Sequence, residues 1–84
     1  MPITGELDLH SFRPEDLGEL IPDYIEACRR KGIYKIRIVH GKGIGNLRRS
    51  VTAILQRHPN VTNFGQAGEQ LGGWGAMIVE LRRD

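Results

Sequence analysis

The stretch Lys35-Ile36-Arg37-Ile38-Val39-His40-Gly41-Lys42-Gly43-Ile44-Gly45-Asn46-Leu47-Arg48-Arg49 decides the fold class of this chain. Its first six residues are rich in β-branched side chains and are followed by a glycine, which predicts a strand over residues 35–40. After the glycine-rich segment, Asn46 is a good N-cap for a helix that Pro59 terminates. The apolar stripe of that helix consists of Leu47, Val51, Ile54 and Leu55. A strand that leads through a glycine loop into a helix indicates an α/β protein.

Further strand and helix signals precede this stretch. Leu7-Asp8-Leu9-His10 alternates in polarity and predicts a short strand. Between residues 14 and 31, apolar side chains recur at helical spacing, and Gly32 provides a stop signal. Because Pro22 lacks a backbone donor, we expect a short turn followed by a fresh helix with Pro22 near its first position, in preference to a kinked helix.

Two more strands complete the predicted architecture. A third strand is predicted over residues 61–64, a polar, glycine-rich and mobile segment over residues 65–75, and a last strand over residues 76–81. This order predicts a four-stranded mixed sheet with two helices on one face. Right-handed crossovers make the first three strands parallel, and the last strand returns by a hairpin. We expect residues 1–84 to form a single domain.

Length and composition exclude several classes of protein. With 84 residues, the chain has room for one core of modest size. Cys28 is the only cysteine, which excludes an internal disulfide and a cysteine-based zinc cluster and suits a reducing compartment. No segment approaches the ~20 apolar residues of a membrane helix, and the N-terminus lacks the pattern of a secretion signal. We therefore expect a cytoplasmic protein without a membrane partner.

The charges are distributed unevenly along the chain. The formal net charge is only +2, yet residues 27–68 contain no Asp or Glu. The basic residues in that block are Arg29, Arg30, Lys31, Lys35, Arg37, Lys42, Arg48, Arg49 and Arg57. A stretch of one sign attracts polyanions and raises their rate of encounter.

The glycine-rich segment lies within this basic block and has the features of a phosphate site. Its glycines allow a close approach of the backbone, and the start of the following helix offers unpaired N–H groups. The residues expected to bind phosphate are Gly41, Lys42, Gly43, Gly45, Arg48 and Arg49. The pattern differs from the G-x-x-x-x-G-K-[ST] loop of nucleotide-hydrolysing enzymes, so ATP is not implied. We interpret the partner as the backbone of DNA or RNA.

Three side chains lie where two predicted parallel strands end, the usual place for ligands of such sheets. Asp8 and His10 are about 7 Å apart along a strand, so the carboxylate can support the imidazole or a metal ion without direct contact. Alternatively, Asp8 caps a turn and His10 is an ordinary exposed histidine. Strand alternation turns His40 towards the core, where it can hold the glycine loop, a role compatible with catalysis. Trp74 either stacks on a base or covers the edge of the sheet.

Three segments together resemble the motifs of one family. They are Leu7-Asp8-Leu9-His10, His40-Gly41-Lys42-Gly43-Ile44-Gly45 with Leu47-Arg48 after it, and Gly72-Gly73-Trp74-Gly75-Ala76 before an apolar strand. In order and spacing they resemble a Smr domain, of the small MutS-related family named after the C-terminal region of MutS2 proteins, over residues 7–81. The resemblance implies a two-layer α/β sandwich similar to the C-terminal domain of bacterial translation initiation factor three.

The resemblance also implies a function, that of a nucleic-acid endonuclease that cleaves RNA or nicks DNA. The first motif points to Asp8 and His10, and the second to His40, Lys42 and the neighbouring glycines. This chain has Ser11 where many Smr domains have glycine. A side chain at that position would narrow the approach to His10.

Two mechanisms of cleavage are compatible with these residues. In the first, His10 and His40 act as general base and acid on RNA, with the ribose 2′-OH as nucleophile and Lys42 stabilising the transition state. In the second, Asp8 helps to hold Mg²⁺ or Mn²⁺, which activates water, so that DNA is cut as well. Glu6 and Glu80 are then candidate second ligands.

The sequence is compatible with two other functions. The domain could bind branched or single-stranded nucleic acid without cleaving it, or serve as a protein adaptor. Salt-sensitive affinity for nucleic acid distinguishes the binding module from the adaptor.

Overall fold

The computed structural model describes residues 3–10, 12–41, 46–68 and 75–83. Its elements are β1 (Glu6–Asp8), a 3-10 turn (Pro14–Asp16), α1 (Leu17–Arg30), β2 (Lys35–Val39), α2 (Asn46–Arg57), β3 (Val61–Gln66) and β4 (Ala76–Leu81). Within those ranges, neither helix has the length and apolar character needed to cross a membrane. Lys42, Gly43, Gly45 and Trp74 lie outside the described residues, so the roles expected of them stay predictions.

The four strands form one mixed sheet in the order β1-β2-β4-β3. β1 and β2 pair in parallel, whereas β4 is antiparallel to both of its neighbours, β2 and β3. The first three strands therefore run in the same direction, and β4 returns between the second and the third. The predicted α/β class, a four-stranded mixed sheet with two helices, is confirmed.

Both helices cover the same face of the sheet. The two crossovers, β1-α1-β2 and β2-α2-β3, step across the sheet in the same direction, which places right-handed connections on one side. Burial alternates accordingly along β2, where Ile36 and Ile38 are buried and Lys35 is exposed. The core between sheet and helices contains Leu7, Leu9, Leu17, Ile21, Tyr24, Ile25, Cys28, Ile36, Ile38, Val51, Leu55, Met77, Val79 and Leu81. Burial of these side chains is the main favourable contribution to folding.

The expectation that a fresh helix begins near Pro22 was wrong. α1 is a single helix that contains Pro22 in its interior. The proline leaves the carbonyl of Gly18, four residues earlier, without its usual donor, but Gly18 is exposed and water can take that place. Leu17, Ile21 and Ile25 are all 0% exposed. Burial on both sides of the proline thus holds the two segments together as one helix.

α1 ends at Arg30, and Gly32 acts as the predicted stop signal within a Schellman motif. The N–H of Ile33 donates to the carbonyl of Cys28 at 2.9 Å, and the N–H of Gly32 donates to that of Arg29 at 3.1 Å. Gly32 has a φ of +77°, a left-handed conformation that glycine adopts at low cost. The motif turns the chain back towards β2.

β3 is longer than predicted and extends into the segment expected to be mobile. Gly65 and Gln66 belong to the strand because they pair with Ile78 and Met77 of β4. This pairing satisfies backbone groups, a contribution that a polar, glycine-rich composition does not reveal. Residues 69–74 of the same segment lie outside the described part of the chain.

Tyr24 fastens β1, a strand of three residues at the edge of the sheet, to α1. Its hydroxyl accepts the N–H of Gly5 at 3.1 Å and donates to the carbonyl of Glu6 at 3.0 Å. Tyr24 is itself buried against the core. The contact therefore holds in place the short strand that carries Asp8.

Candidate active site and nucleic-acid interface

Asp8 and His10 form a carboxylate–imidazole pair, here called the dyad, at the carboxyl end of β1. Asp8 Oδ1 accepts the backbone N–H of His10 at 2.9 Å and lies 2.5 Å from His10 Nδ1. The backbone N–H and then the ring contact hold the pKa of the Asp8 carboxyl below its ordinary value. Because an ionised carboxylate only accepts, Nδ1 carries the proton and the neutral ring keeps its lone pair on Nε2.

The separation expected between Asp8 and His10 from strand geometry is not observed. β1 ends at Asp8, and the carbonyl of Leu9 accepts the N–H of Phe12 at 3.1 Å in a turn. The turn folds His10 back onto the carboxylate. Asp8 therefore caps the turn and holds the imidazole at the same time.

Gly41 brings the second motif into contact with the first. His10 Nε2 lies 3.3 Å from the position that a Cβ atom would occupy on Gly41. Gly41 also has a φ of +84°, which side chains other than that of glycine rarely tolerate. A larger residue would press on the imidazole and strain the backbone. His10 Nε2, the ring nitrogen that does not contact Asp8, thus lies directly against Gly41.

His40 is buried, in contrast to His10, and faces the core as strand alternation predicts. It is 7% exposed, and its Nδ1 lies 2.9 Å from the carbonyl oxygen of Gly41, which makes Nδ1 the donor. Burial lowers the pKa of His40, and the charge of Arg48 lowers it further, while the carbonyl contact opposes both. Nε2 is a buried acceptor with no hydrogen-bond partner in the described part of the chain.

Gly75 connects the third motif to the carboxyl end of β2, where His40 and Gly41 lie. Its carbonyl accepts the N–H groups of both His40 and Gly41, each at 2.9 Å. Because Gly75 directly precedes β4, this contact joins the start of β4 to the end of β2. Sequence reasoning had assigned no role to Gly75, and its only signal was its place beside Trp74 in a glycine-rich motif.

Arg48 and Arg49 are exposed in the first turn of α2. The helix begins at Asn46, five residues after Gly41, so the N–H groups of its first turn lie at the same end of the molecule as the dyad. Arg48 is close enough to His40 for its charge to oppose protonation of that ring. The fold thus gathers residues from three motifs at the carboxyl ends of β1 and β2.

Comparison with known proteins decides the family. The model of the Smr domain family matches residues 7–82. This chain belongs to the Smr domain family. It is 39% identical over 80 residues to endonuclease MutS2 of Halalkalibacterium halodurans, and 39% identical over 82 residues to putative endonuclease MutS2 of Bacillus subtilis. Each match covers 95% of this chain and 10% of the relative, so the chain spans about a tenth of the length of these MutS2 proteins.

Two solved structures share the fold of this Smr domain. The Smr domain of Thermus thermophilus MutS2 superposes with a TM-score of 0.87 at 32% identity, over 94% of this chain and 99% of that one. YdaL, a stand-alone small MutS-related protein from Escherichia coli, superposes with a TM-score of 0.82 at 29% identity, over 96% of this chain and 66% of that one. The resemblance drawn from the three sequence motifs is confirmed.

The two candidate second ligands, Glu6 and Glu80, are placed differently relative to Asp8. Glu6 pairs with Arg37 at 2.8 Å. Glu80 lies beside Lys35 at the start of β2, at the opposite end of the sheet from Asp8. Among the residues that the structure describes, no group of three or more His, Cys, Asp or Glu side chains could hold a metal ion. A contact of Asp8 with Mg²⁺ or Mn²⁺ stays a prediction.

The basic residues of segment 27–68 do not form one continuous surface without carboxylates, because two of them pair with acidic side chains. Arg29 and Arg37 are each 2.8 Å from a carboxylate oxygen, of Glu26 and Glu6 respectively, and both acids lie outside the block in sequence. The basic side chains that end α1 lie at the end of the molecule opposite to the dyad, because α1 runs antiparallel to β1. Arg37 lies close enough to Asp8 for its charge to help lower the pKa of that carboxyl, and the arginines in the first turn of α2 lie at the same end of the molecule as the dyad.

Proposed function

We propose that this Smr domain is a nucleic-acid endonuclease that uses the dyad as its general base. The contact of Asp8 Oδ1 with His10 Nδ1 carries the proposal, because it leaves the lone pair of Nε2 beside Gly41 on a side chain that is 67% exposed. A positioned proton acceptor accelerates a reaction by about 10²–10⁴-fold. The endonuclease MutS2 relatives contain a domain of this family, which supports the assignment.

In this proposal, the P–O bond to the leaving sugar oxygen breaks as the attacking oxygen bonds to phosphorus, and water protonates the leaving oxygen. His10 Nε2 accepts the proton of the attacking oxygen. That oxygen belongs to the ribose 2′-OH when the substrate is RNA, or to water when it is DNA. Asp8 holds the tautomer of His10 and stabilises the imidazolium that forms. Because the pKa of Asp8 is lowered, its carboxylate stays ionised at neutral pH and does not take the proton itself.

The scissile phosphate is proposed to lie between His10 and the first turn of α2. Gly41 permits the backbone to approach the phosphate, while the free N–H groups of the helix supply donors. Arg48 and Arg49 add charge-assisted hydrogen bonds to phosphate oxygens. Lys42, together with the two glycines that follow it in the motif, is expected to complete the phosphate loop and stabilise the charged transition state.

His40 is proposed to act mainly as a positioning residue. Its Nδ1 is engaged by the carbonyl of Gly41, so the ring holds the glycine against His10. Its lowered pKa leaves Nε2 unprotonated at neutral pH, which makes the ring a poor proton donor. The catalytic contribution expected of His40 is therefore indirect, through the geometry of Gly41.

A module that binds nucleic acid without cleaving it is the second candidate function. The observation that favours it is the composition of α2, NLRRSVTAILQR, which has no acidic residue. Phosphate binding through this helix does not require the dyad.

Cleavage by Asp8→Asn and His10→Ala variants tests the proposal. Labelled RNA and DNA of matched sequence are offered in single-stranded, duplex and branched form, with Mg²⁺, Mn²⁺ or excess chelator. We expect each variant to cleave about 100-fold more slowly or worse, because the positioned base is lost. Asp23→Asn is the matched control, since Asp23 is exposed on α1, and it should cleave at the wild-type rate.

The outcomes separate the two functions and the two mechanisms. Cleavage confined to RNA that persists with chelator selects the 2′-OH as nucleophile, whereas dependence on a divalent cation selects activated water. Salt-sensitive binding by the wild type without any cleavage replaces the endonuclease by the binding module.

We also infer a cytoplasmic location from Cys28, a buried free thiol that suits a reducing compartment.

A further inference from the structure

The exposed side of α2 forms a saddle. A concavity of about 450 Å³ on this side is lined by Arg48, Arg49, Thr52, Ala53 and Gln56. Residues four apart on a helix are neighbours, so Arg48, Thr52 and Gln56 form one row. The two arginines stand at one end of the saddle, the short side chains of Thr52 and Ala53 lie in its middle, and Gln56 stands at the other end. About 12 Å of helix axis separates Arg48 from Gln56.

The packing of α2 explains why this side faces solvent. Val51 and Leu55 are 0% and 1% exposed and anchor the opposite side of the helix in the core. Ala53 and Gln56 are exposed, and Thr52 is half-buried. The saddle is therefore held by a helix whose orientation the core fixes, and its shape does not depend on a loop.

The chemistry of the saddle favours a ligand that only accepts hydrogen bonds. Its polar groups are two guanidinium groups, a hydroxyl and an amide, all of which can donate. No carboxylate lies on α2 to oppose an anion. The first turn also carries the positive end of the helix dipole. Phosphate oxygens match this set, because they are negatively charged and act only as acceptors.

We propose that the sugar–phosphate backbone of a nucleic acid crosses α2 at Thr52 and Ala53. Arg48 and Arg49 bind phosphates on the side nearer the dyad, while the Thr52 hydroxyl and the Gln56 amide donate to the backbone on the other side. Ala53 leaves the room that the backbone occupies. The inference rests on the proposed function and deepens it, because it gives the path of the substrate beyond the scissile phosphate. Contacts of this kind position the nucleic acid without reading its sequence.

Binding measured for Ala53→Glu and Gly18→Glu tests the saddle. Each variant adds one carboxylate to an exposed helix position, and no described atom lies within 4 Å of the Cβ that Gly18 lacks, outside its own helix backbone and chain neighbours. The probes are a fluorescein-labelled DNA duplex and an RNA duplex of the same sequence, with fluorescence anisotropy as readout. We expect Ala53→Glu to weaken binding about tenfold or more, because it both fills the saddle and repels phosphate. Gly18→Glu should change affinity by less than about threefold, which allows for the one added charge.

A second variant, which changes no charge, separates the contribution of hydrogen bonds to binding from the contribution of charge. Thr52→Ala combined with Gln56→Ala should weaken binding while the slope of affinity against salt stays that of the wild type, because no cation is removed. Thermal unfolding checks that each variant is folded. Poly-L-glutamate serves as a third probe, standing for an acidic protein partner.

The results distinguish failure of the saddle from failure of the proposed function. Equal affinities of Ala53→Glu and Gly18→Glu overturn the saddle and leave the endonuclease proposal standing. Binding of poly-L-glutamate that Ala53→Glu abolishes, with nucleic-acid binding retained, assigns the saddle to an acidic protein and also overturns the inference. A wild-type protein that binds neither duplex and cleaves none of the single-stranded, duplex and branched substrates contradicts the proposed function itself.

Discussion

His10 and His40 have the same side chain and opposite surroundings. His10 is exposed and supported by a carboxylate, whereas His40 is buried and bonded to a carbonyl. A third histidine, His58, lies at the other end of the molecule, where its Nδ1 accepts the N–H of Asn60 at 3.1 Å and its Nε2 is 3.5 Å from Glu26. The surroundings, more than the residue type, decide which imidazole can exchange a proton with a substrate.

The buried state of His40 predicts a loss of stability in mild acid. Burial lowers the pKa of folded His40, so below the ordinary pKa of 6.5 the unfolded chain binds a proton that the folded protein does not. Stability contributed by the neutral ring is therefore present above pH 6.5 and declines as the pH falls towards the lowered pKa. Urea unfolding of wild type and His40→Asn between pH 7.5 and 5.5 measures the effect, and the wild type should lose more free energy of unfolding.

Other titratable groups are common to both proteins, and their contributions cancel in the difference. For each unit by which folding lowers the pKa of His40, the free energies of unfolding of the wild type and His40→Asn should diverge by at most about 1.4 kcal/mol as the pH falls. If the free energies of unfolding of the wild type and His40→Asn changed in parallel with pH, that result would contradict a buried, neutral His40.

At the scale of elements, glycine has opposite effects inside α1 and after it. Gly18 lies in the first part of the helix, where its missing side chain only adds conformational freedom to the unfolded chain. Gly32 follows the helix with a φ of +77° and completes the Schellman motif. Among the described residues, no atom lies within 4 Å of the missing Cβ atom at either site, apart from the chain neighbours of each glycine and the backbone of α1 around Gly18. Backbone conformation alone therefore decides the effect of adding a methyl group.

This comparison predicts opposite signs for two identical substitutions. Gly18→Ala should raise the free energy of unfolding by about 0.5–1 kcal/mol, because alanine is the better helix former. Gly32→Ala should lower it by about 1–2 kcal/mol, because an L residue is disfavoured in the left-handed region. Urea denaturation of the two variants provides the measurement. A stabilising effect of Gly32→Ala would show that the motif at the end of α1 is not formed in solution.

At the scale of the whole molecule, the alternation of strands and helices concentrates the motifs at one end. Strands β1 and β2 are parallel, so both deliver their carboxyl ends to the same edge of the sheet. The helix that follows β2 begins there, with Arg48 and Arg49 in its first turn. The charges that end α1, including Arg30, lie at the other end. The molecule therefore has one end suited to phosphate, although its basic residues are spread along the sequence.

This difference between the two ends of the molecule predicts that two arginine variants differ in how their affinity for nucleic acid depends on salt. Arg49→Ala should reduce the slope of log K against log salt by about 1 for nucleic-acid binding, because one phosphate contact is lost. Arg30→Ala removes the same charge from an exposed position at the other end and should leave the slope unchanged. Titrations at several salt concentrations measure both slopes. Equal reductions would mean that net charge, and not the end beside the dyad, governs binding.

The sequence by itself determined the kind and order of the elements and the residues of the three motifs. β-branched runs, helical spacing of apolar residues and stops at glycine and proline are local signals, and each acts within a few residues. The stop signal at Gly32 after α1 and the inward orientation of His40 follow from such local patterns. The antiparallel return of the last strand follows from the order of the elements.

Only the tertiary structure decided the features that need partners distant in sequence. α1 continues through Pro22 because the core buries Ile21 and Ile25 on either side of it. β3 extends to Gln66 because β4 supplies its hydrogen bonds, and β4 lies between β2 and β3 for reasons of packing that no local pattern records. The position of Gly41 against His10 and the ion pair of Arg37 with Glu6 likewise join segments about thirty residues apart. Local propensities describe the parts, and long-range burial and pairing place those parts against one another.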